Sequence, residues 1–587
     1  MTEYFEVHER DGAARLGELR LADPTTTPAI ADELIVDAGS LWSADRPVPE
    51  GDEDRLTVLP HRGFPGGTDD EVATSFAVEY PAVDYPSAAV VSPTTVADHD
   101  VDAYVLSNAQ AIVGHAAAFR EAIITVRETI PADTALYLSG VATPRNVATL
   151  VAAGVDLVDT DRAVIRGSQG RYLTTEGDYR LEELTELPCS CSACLGAGSI
   201  DVFDRDDCIE HNVNALRAAL RTVRERIRRG RLRDYLEGQA RHEQWCTATF
   251  REFDQQWRYL EQRTPVARRA DITAASEDTL RRVEIQRFAD RVTDRYVDRF
   301  DAPLVLVPCS ARKPYSDSQS HGQFHDAIKW RGHIVSMTSP IGVVPQELEL
   351  TYPAQHYDSV VTGRWSAEEI DFVARVLERY LDRTDYARLI AHVPDEGYRS
   401  VVERATTDFD GEIAYTVADH PTDEESLANL RAALDGEPRY RKREREHNTV
   451  RAIADYQFGE AAGDQLFEDI QTEARYPKHR VLRTDGTQLA TLVPTYGLLA
   501  LTLAGGRQWV ASDAPTKRVE IEAFVPHGSV LAPGVTDASA AIRVGDEVVV
   551  DGPAAFGVGR ATMTGPEMIG STRGVAVDVR HVEDQSA

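Results

Sequence analysis

Apolar residues in the first 160 positions fall into short runs, each followed by a stretch of helical spacing. AYVLS at 103–107, TALYLSG at 134–140 and VDLVD at 155–159 are strand-length runs, whereas 109–129 and 144–153 place apolar residues three and four apart. Strands this apolar, alternating with helices, predict a parallel sheet or barrel covered on both faces. Residues 213–260 read as helical and arginine-rich, and 261–280 as a linker. A second α/β unit opens with the apolar run PLVLVP at 303–308 and extends to about 432, before a charged joint, RYRKREREH, at 439–447. Residues 448–515 read as a small α+β unit, and 517–583 alternate short strands with Gly and Pro turns, as a small β-barrel does. The expected architecture is multidomain α/β, divided at 1–212, 213–300, 301–435, 440–515 and 517–583.

A chain of 587 residues exceeds what one core usually supports, which agrees with several domains. No window approaches 18 uninterrupted apolar residues, so no membrane span is expected. The start, MTEYFEVHERDG, has no basic segment followed by an apolar one, so a cytoplasmic location is expected. The net charge is −33, from 96 acidic against 63 basic residues, and lysine occurs only at 313, 329, 442, 478 and 517. Such an acid excess suits a cytoplasm rich in salt, where self-repulsion is screened over roughly 3 Å at 1 M. A nucleic-acid partner is then met by local patches or by shape, since counterion release is weak at that salt.

Three cysteines cluster as Cys189-Ser-Cys191-Ser-Ala-Cys194, and His211 follows at a helix start. Three thiolates and one imidazole form a closed tetrahedral set, the usual donor set of structural zinc. Cys208 is a competing ligand with poorer context. The CxCxxC run with His211-Asn212 resembles the zinc site of tRNA-guanine transglycosylases. GVDLVDTD at 154–161 is similar to the strand carrying their nucleophilic aspartate, which falls on Asp159; FEVHERDGAARLGEL at 5–19 is similar to the start of archaeal members. The resemblance implies a transglycosylase-like (β/α) barrel, degenerate because the Ser-Gly-x-Phe-Gln pocket segment is missing and the comparable stretch reads YVLSNAQAIVGHA at 104–116. Base exchange is therefore expected to be lost, with Asp159 a remnant.

The chemistry is expected in the second α/β unit. Its first strand delivers Pro308-Cys309-Ser310-Ala311-Arg312-Lys313-Pro314-Tyr315-Ser316-Asp317-Ser318-Gln319-Ser320-His321. A cysteine at the C-terminal end of a parallel strand faces the ligand crevice. Arg312 and Lys313 are cations that favour a thiolate, and Tyr315, Asp317 and His321 offer proton donors and acceptors. The run PC-x3-KPY-x2-S-x2-H, with SPIGVVPQELELTYPAQHYD at 339–358, resembles the archaeosine synthase family, archaeal and haloarchaeal in character. The resemblance implies a transferase that adds an amine to the nitrile of 7-cyano-7-deazaguanine at position 15 of tRNA. It also implies Cys309, Lys313, Tyr315, Asp317, Ser318 and His321 as site residues. The implied donor is free lysine (glutamine in older descriptions), followed by a radical-SAM partner enzyme. Thiolate addition to give a thioimide, then displacement by the amine, divides one hard step into two easier ones. No GxxxxGK[ST] phosphate loop is present.

Two regions are expected to hold RNA. One is the helical stretch 214–234 with Arg217, Arg221, Arg224, Arg228 and Arg231 near one-turn spacing; the other is 517–583, which resembles a PUA domain. Residues 448–515 resemble the unit preceding PUA in archaeal transglycosylases. Two alternatives remain at this point: a transglycosylase inserting the base, and a non-catalytic tRNA-binding subunit. A homodimer also stays open.

Overall fold

A computed structural model describes residues 3–359, 364–475 and 478–586; positions 1, 2, 360–363, 476, 477 and 587, which fall within or next to the predicted domains, lie outside the described residues. The chain divides into two compact units. One comprises 1–265 with 531–535 and 563–576, and the other comprises 266–530 with 536–562 and 577–587.

In the first unit seven strands form one sheet: β1 (Ala29–Ile30), β2 (Ile35–Asp37), β3 (Leu56–Val58), β4 (Ser87–Val91), β5 (Ala103–Leu106), β6 (Ala135–Leu138) and β7 (Leu157–Val158). Their order is β1-β7-β6-β5-β4-β3-β2, and every pairing is parallel. The two edge strands, β1 and β2, are consecutive in the chain. Laid flat, six gaps of about 4.8 Å would separate them by about 29 Å. The five residues from Ile30 to Ile35 reach at most about 18 Å, so the sheet must curl into an incomplete barrel. Its outer face is covered by helices, including α1 (Asp161–Ser168) and α2 (Arg205–Arg228). A buried ion cluster ties the wall together: Asp156 accepts from Arg15 Nη2 at 2.6 Å, from the Arg127 guanidinium, and from the Leu136 amide at 2.8 Å.

The boundary expected at 212/213 falls inside α2, whose buried stripe Leu216, Ala219, Leu220, Val223 and Ile227 belongs to the first unit's core. The arginine-rich segment is thus part of the barrel's cover and not a connector. Gly230, in the left-handed region at φ 62°, ends this helix, and a new one begins at Leu232, so Arg231 does not share the helix of the other arginines. The stretch 261–280 is likewise no free linker. Val266, Ala267, Ile272 and Leu280 are buried, and Ile272–Ala274 pairs in parallel with Tyr357–Ser359. The charged joint is mostly helix: Lys442–Phe458 is continuous and its apolar residues sink into the second unit's core.

The second unit's sheet has order β10-β9-β8-β11-β12, from β8 (Leu304–Pro308), β9 (His333–Thr338), β10 (Gly342–Pro345), β11 (Arg388–Ala391) and β12 (Glu412–Tyr415). Only β10 is antiparallel. The chain leaves β8 towards β9 on one side, then returns across to β11 on the other. That reversal makes the crevice at the C-terminal ends of β8 and β11 the natural ligand position of the sheet. Further along, Ile470–Arg475, Lys478–Arg483, Gln488–Val493 and Leu498–Leu501 form a four-stranded antiparallel sheet. A six-stranded sheet is built from strands between Arg518 and Asp584.

Candidate functional site

Cys189, Cys191, Cys194 and His211 gather with their donor atoms all within 4.8 Å of one another. Tetrahedral zinc with Zn–S bonds of about 2.3 Å and a Zn–N bond of about 2.0 Å has S···S edges of about 3.8 Å and S···N edges of about 3.5 Å. Here Cys191 Sγ lies 3.6 Å from Cys194 Sγ, and His211 Nδ1 lies 3.5 and 3.4 Å from the two sulfurs. The other imidazole nitrogen, Nε2, is 2.9 Å from the Leu173 carbonyl oxygen. Donation there leaves Nδ1 as a lone pair aimed at the thiols, which is how a ligating histidine is oriented. The ring stacks on Tyr172 at 3.7 Å, and burial pushes the Cys194 thiol up to about 12. Three gathered sulfurs, one buried and two half-buried, suit a cation that takes the charge of the thiolates. Cys208 is not in this set; its Sγ faces the Arg171 carbonyl at 3.4 Å. The residues fit a closed metal site.

Asp159 follows β7 and is buried. Its carboxylate accepts from Tyr137 Oη at 2.8 Å, from the Gly140 amide at 2.8 and 3.0 Å, and from the Asp161 amide at 3.2 Å. Three donors from the barrel wall hold it in place. Beside Gly140, a cavity of about 210 Å³ is lined by Gln110, Val141, Arg145, Arg166 and Trp245, among others.

Cys309 follows β8 and is half-buried, its amide bonded to the Met337 carbonyl at 3.1 Å. Its Sγ lies 3.3 Å from Tyr398 Oη. Two helices, α3 (Gln319–Ile328) and α4 (Ala367–Leu381), precede α5 (Gly397–Ala405), and Tyr398 stands at the start of α5. α5 follows β11, the strand across the crevice, and this is why a residue 89 positions away reaches the thiol.

Lys313 places Nζ 3.8 Å from the centre of the Tyr357 ring. Burial draws its ammonium below the ordinary lysine value, opposed by the charges of Cys309, Asp358 and Asp271. Tyr315, expected as a proton donor, is buried in a chain of hydroxyls: it meets Tyr357 Oη at 2.7 Å, which meets Thr338 Oγ1 at 2.7 Å. Burial first, then the charge of Cys309, raises its pKa. Ser318 caps α3, its Oγ accepting from the His321 amide at 3.2 Å. His321 turns Nε2 to the Pro308 carbonyl at 3.0 Å and stacks on Tyr315; burial lowers it to about 4. It braces the strand end from which Cys309 emerges. Asp317 is exposed. The adjacent Ser316 donates from its amide and hydroxyl to Glu349 at 2.9 and 2.6 Å, and burial pushes Glu349 up to about 7. The motif therefore divides into residues that build the loop and the few that face the thiol. Glu349 and Tyr357 lie in the 339–358 run that carries the family resemblance, without an individual role expected of either, and Tyr398 lies outside every quoted motif. The signal for Tyr398 is its place in GYRS, just past the apolar strand β11.

Of the arginines expected to meet RNA, Arg224 donates to the Pro28 carbonyl at 2.6 Å, and Arg228 and Arg231 pair with Glu225 and Asp234 at 3.6 and 2.9 Å. Arg217 and Arg221 are exposed on α2.

Comparison with known proteins matches these parts in turn. Residues 85–244 match the family described as queuine tRNA-ribosyltransferase, 448–515 the patch-forming domain C2 of tRNA-guanine transglycosylase, and 517–582 the PUA domain. Residues 285–434, which carry Cys309, match a domain of unknown function. Archaeosine synthase of Haloferax volcanii is 62% identical across 100% of both chains. The chain belongs to the archaeosine synthase family. The alpha subunit of archaeosine synthase from Methanosarcina acetivorans is 40% identical over 99% of this chain and 100% of its own. A tRNA-guanine(15) transglycosylase of Methanothermobacter thermautotrophicus is 28% identical over 78% of this chain and 68% of its own. Among the described residues no helix is long and apolar enough to cross a membrane.

Proposed function

We propose that this archaeosine synthase family member transfers an amine to the nitrile of 7-cyano-7-deazaguanine at position 15 of tRNA, with Cys309 as the nucleophile. The observation that carries the reading is the half-buried Cys309 thiol at the strand-order reversal of the second sheet, flanked by Lys313 and Tyr398. Cys309 adds to the nitrile carbon, and an incoming amine displaces it. Lys313 supplies positive charge beside the sulfur. Free lysine is the proposed donor, glutamine the competing one, and a radical-SAM enzyme the partner that acts on the product. Tyr315, Ser318 and His321 shape the loop, and Asp317 stands exposed at its rim to accept a proton from the arriving amine.

Zinc at Cys189, Cys191, Cys194 and His211 is proposed to be structural, because four protein donors leave no position for substrate. The PUA domain, with Arg217 and Arg221, is proposed to hold the folded RNA by shape and backbone contact. The site of action is the cytoplasm, where tRNA is modified. Base exchange is not part of the proposal, since Asp159 is fully engaged by wall donors.

The test is mass spectrometry of nucleosides from nitrile-bearing tRNA incubated with the purified protein in high potassium chloride. One arm contains lysine, one glutamine and one neither. A lysine adduct in the first arm alone is expected; unchanged nitrile nucleoside in all three overturns the reading.

A further inference from the structure

A nitrile nitrogen must gain a proton as its carbon is attacked, and two of the motif's donors, Tyr315 and His321, are placed for other work. Tyr315 Oη is held in the chain with Tyr357 and Thr338, and His321 Nε2 faces the Pro308 carbonyl. Tyr398 is different. Its hydroxyl lies 3.3 Å from Cys309 Sγ, in a contact where either atom can be the donor. Its ring is buried and packs on Trp365 at 4.4 Å between centres, which fixes where the hydroxyl points. The strand reversal brings it there from β11, opposite β8.

Resting on the proposed role of Cys309, we infer that Tyr398 is a catalytic residue that relays the thiol proton to the nitrile nitrogen and later returns a proton to the sulfur. In the first step the Sγ–C bond forms and one C–N π bond breaks. The Tyr398 hydroxyl proton goes to nitrogen, the thiol proton refills the phenol oxygen, and the product is a neutral thioimide. In the second step the amine lone pair forms a C–N bond and the remaining π pair moves to nitrogen. The tetrahedral adduct re-forms its C=N bond and expels Sγ, and one amine proton passes through the same hydroxyl to the sulfur. Amidine and thiol result, with no oxidant, reductant or nucleotide consumed. One hydroxyl serves both steps because the contact permits donation in either direction.

The decisive measurement separates protonation from thiol reactivity. With the amine withheld, full-length Tyr398→Phe is compared with the unsubstituted protein for attachment of Cys309 to nitrile-bearing tRNA. Alkylation of the same thiol by iodoacetamide, which needs no proton delivered to the electrophile, is followed in parallel. Adduct formation is expected to slow by roughly 10²–10⁴-fold, the usual range for a lost acid–base group, with alkylation and tRNA affinity little changed. An adduct rate within roughly threefold of the unsubstituted protein, far inside that range, overturns the role of Tyr398 while leaving Cys309 as nucleophile. Full turnover by Cys309→Ala overturns both. Incorporation of 3,5-difluorotyrosine at 398 keeps ring and hydroxyl and guards against a folding failure. A changed adduct rate with unchanged alkylation supports the relay, and no change in either opposes it.

Discussion

Asp159 and Cys309 occupy equivalent places: each follows the last residue of a parallel strand and precedes a helix, one in the barrel and one in the second sheet. Their surroundings are opposite. The carboxylate is buried and receives donors from Tyr137, Gly140 and Asp161, so its lone pairs are spent on the wall. The thiol is half-buried and meets one phenol. A strand end provides a position for chemistry, but the reactive group acts only if its neighbours leave it a free valence and a way for a proton to move. By that criterion the proposed chemistry falls to the second sheet, with the barrel as its scaffold.

The sharpest way to break this contrast is to exchange the two outcomes by substitution. Cys309→Ser is expected to lower turnover by about three orders of magnitude or more, the scale for a lost covalent nucleophile, without weakening tRNA binding. Nucleoside mass spectrometry and a filter-binding titration read the two quantities. Near-normal turnover would return Cys309 to a packing role.

The next effect belongs to the metal loop. Cys194→Ser, or prolonged chelation, is expected to lower the melting temperature and to release about one metal ion per chain, as a single closed four-ligand site holds. Elemental analysis beside calorimetry checks it; a metal-free protein with an unchanged melting curve would deny the site a structural role.

Smaller still is the barrel's buried charge cluster. Burial alone would raise Asp156, yet Arg15 and Arg127 hold its carboxyl below the ordinary value. A depressed carboxyl contributes stability above its unfolded pKa of about 3.9, and that contribution disappears as pH falls through the folded value. Asp156→Asn is therefore expected to cost about 3–5 kcal/mol near neutral pH, as breaking a buried pair does. The difference from the unsubstituted protein should narrow below about pH 4. Equal destabilisation at both pH values would show that the charge is not what matters.

The smallest effect on chemistry is expected at Asp159. Asp159→Asn should leave amine transfer unchanged while costing stability, about 1–3 kcal/mol for disturbed buried hydrogen bonds. Thermal melting and the nucleoside assay together decide. Loss of turnover with an intact melting curve would mean that the barrel still takes part in the reaction.

Local signals in the chain reached far. Apolar runs marked β5 to β8 because strands covered on both faces have no polar side to alternate. The candidate metal ligands were legible because three of them sit in six residues, where spacing alone constrains geometry. Cys309 was legible for a similar reason: strand, cysteine and polar loop are contiguous. What spacing could not convey was the fate of each polar group. Tyr315 and His321 read as acids and bases, but burial against Tyr357 and Pro308 turned them into braces. The arginine series read as one face, until Gly230 ended the helix and Pro28, Glu225 and Asp234 took three of its members. The stretch 261–280 reads as a linker, yet Val266, Ala267, Ile272 and Leu280 are buried. Tyr398 meets Cys309 only because the strand order sets β11 beside β8. Residue order along the chain determines which elements form and which chemistry each carries. Strand order in the sheet determines which of those residues meet, because hydrogen-bonded neighbours need not be neighbours in sequence.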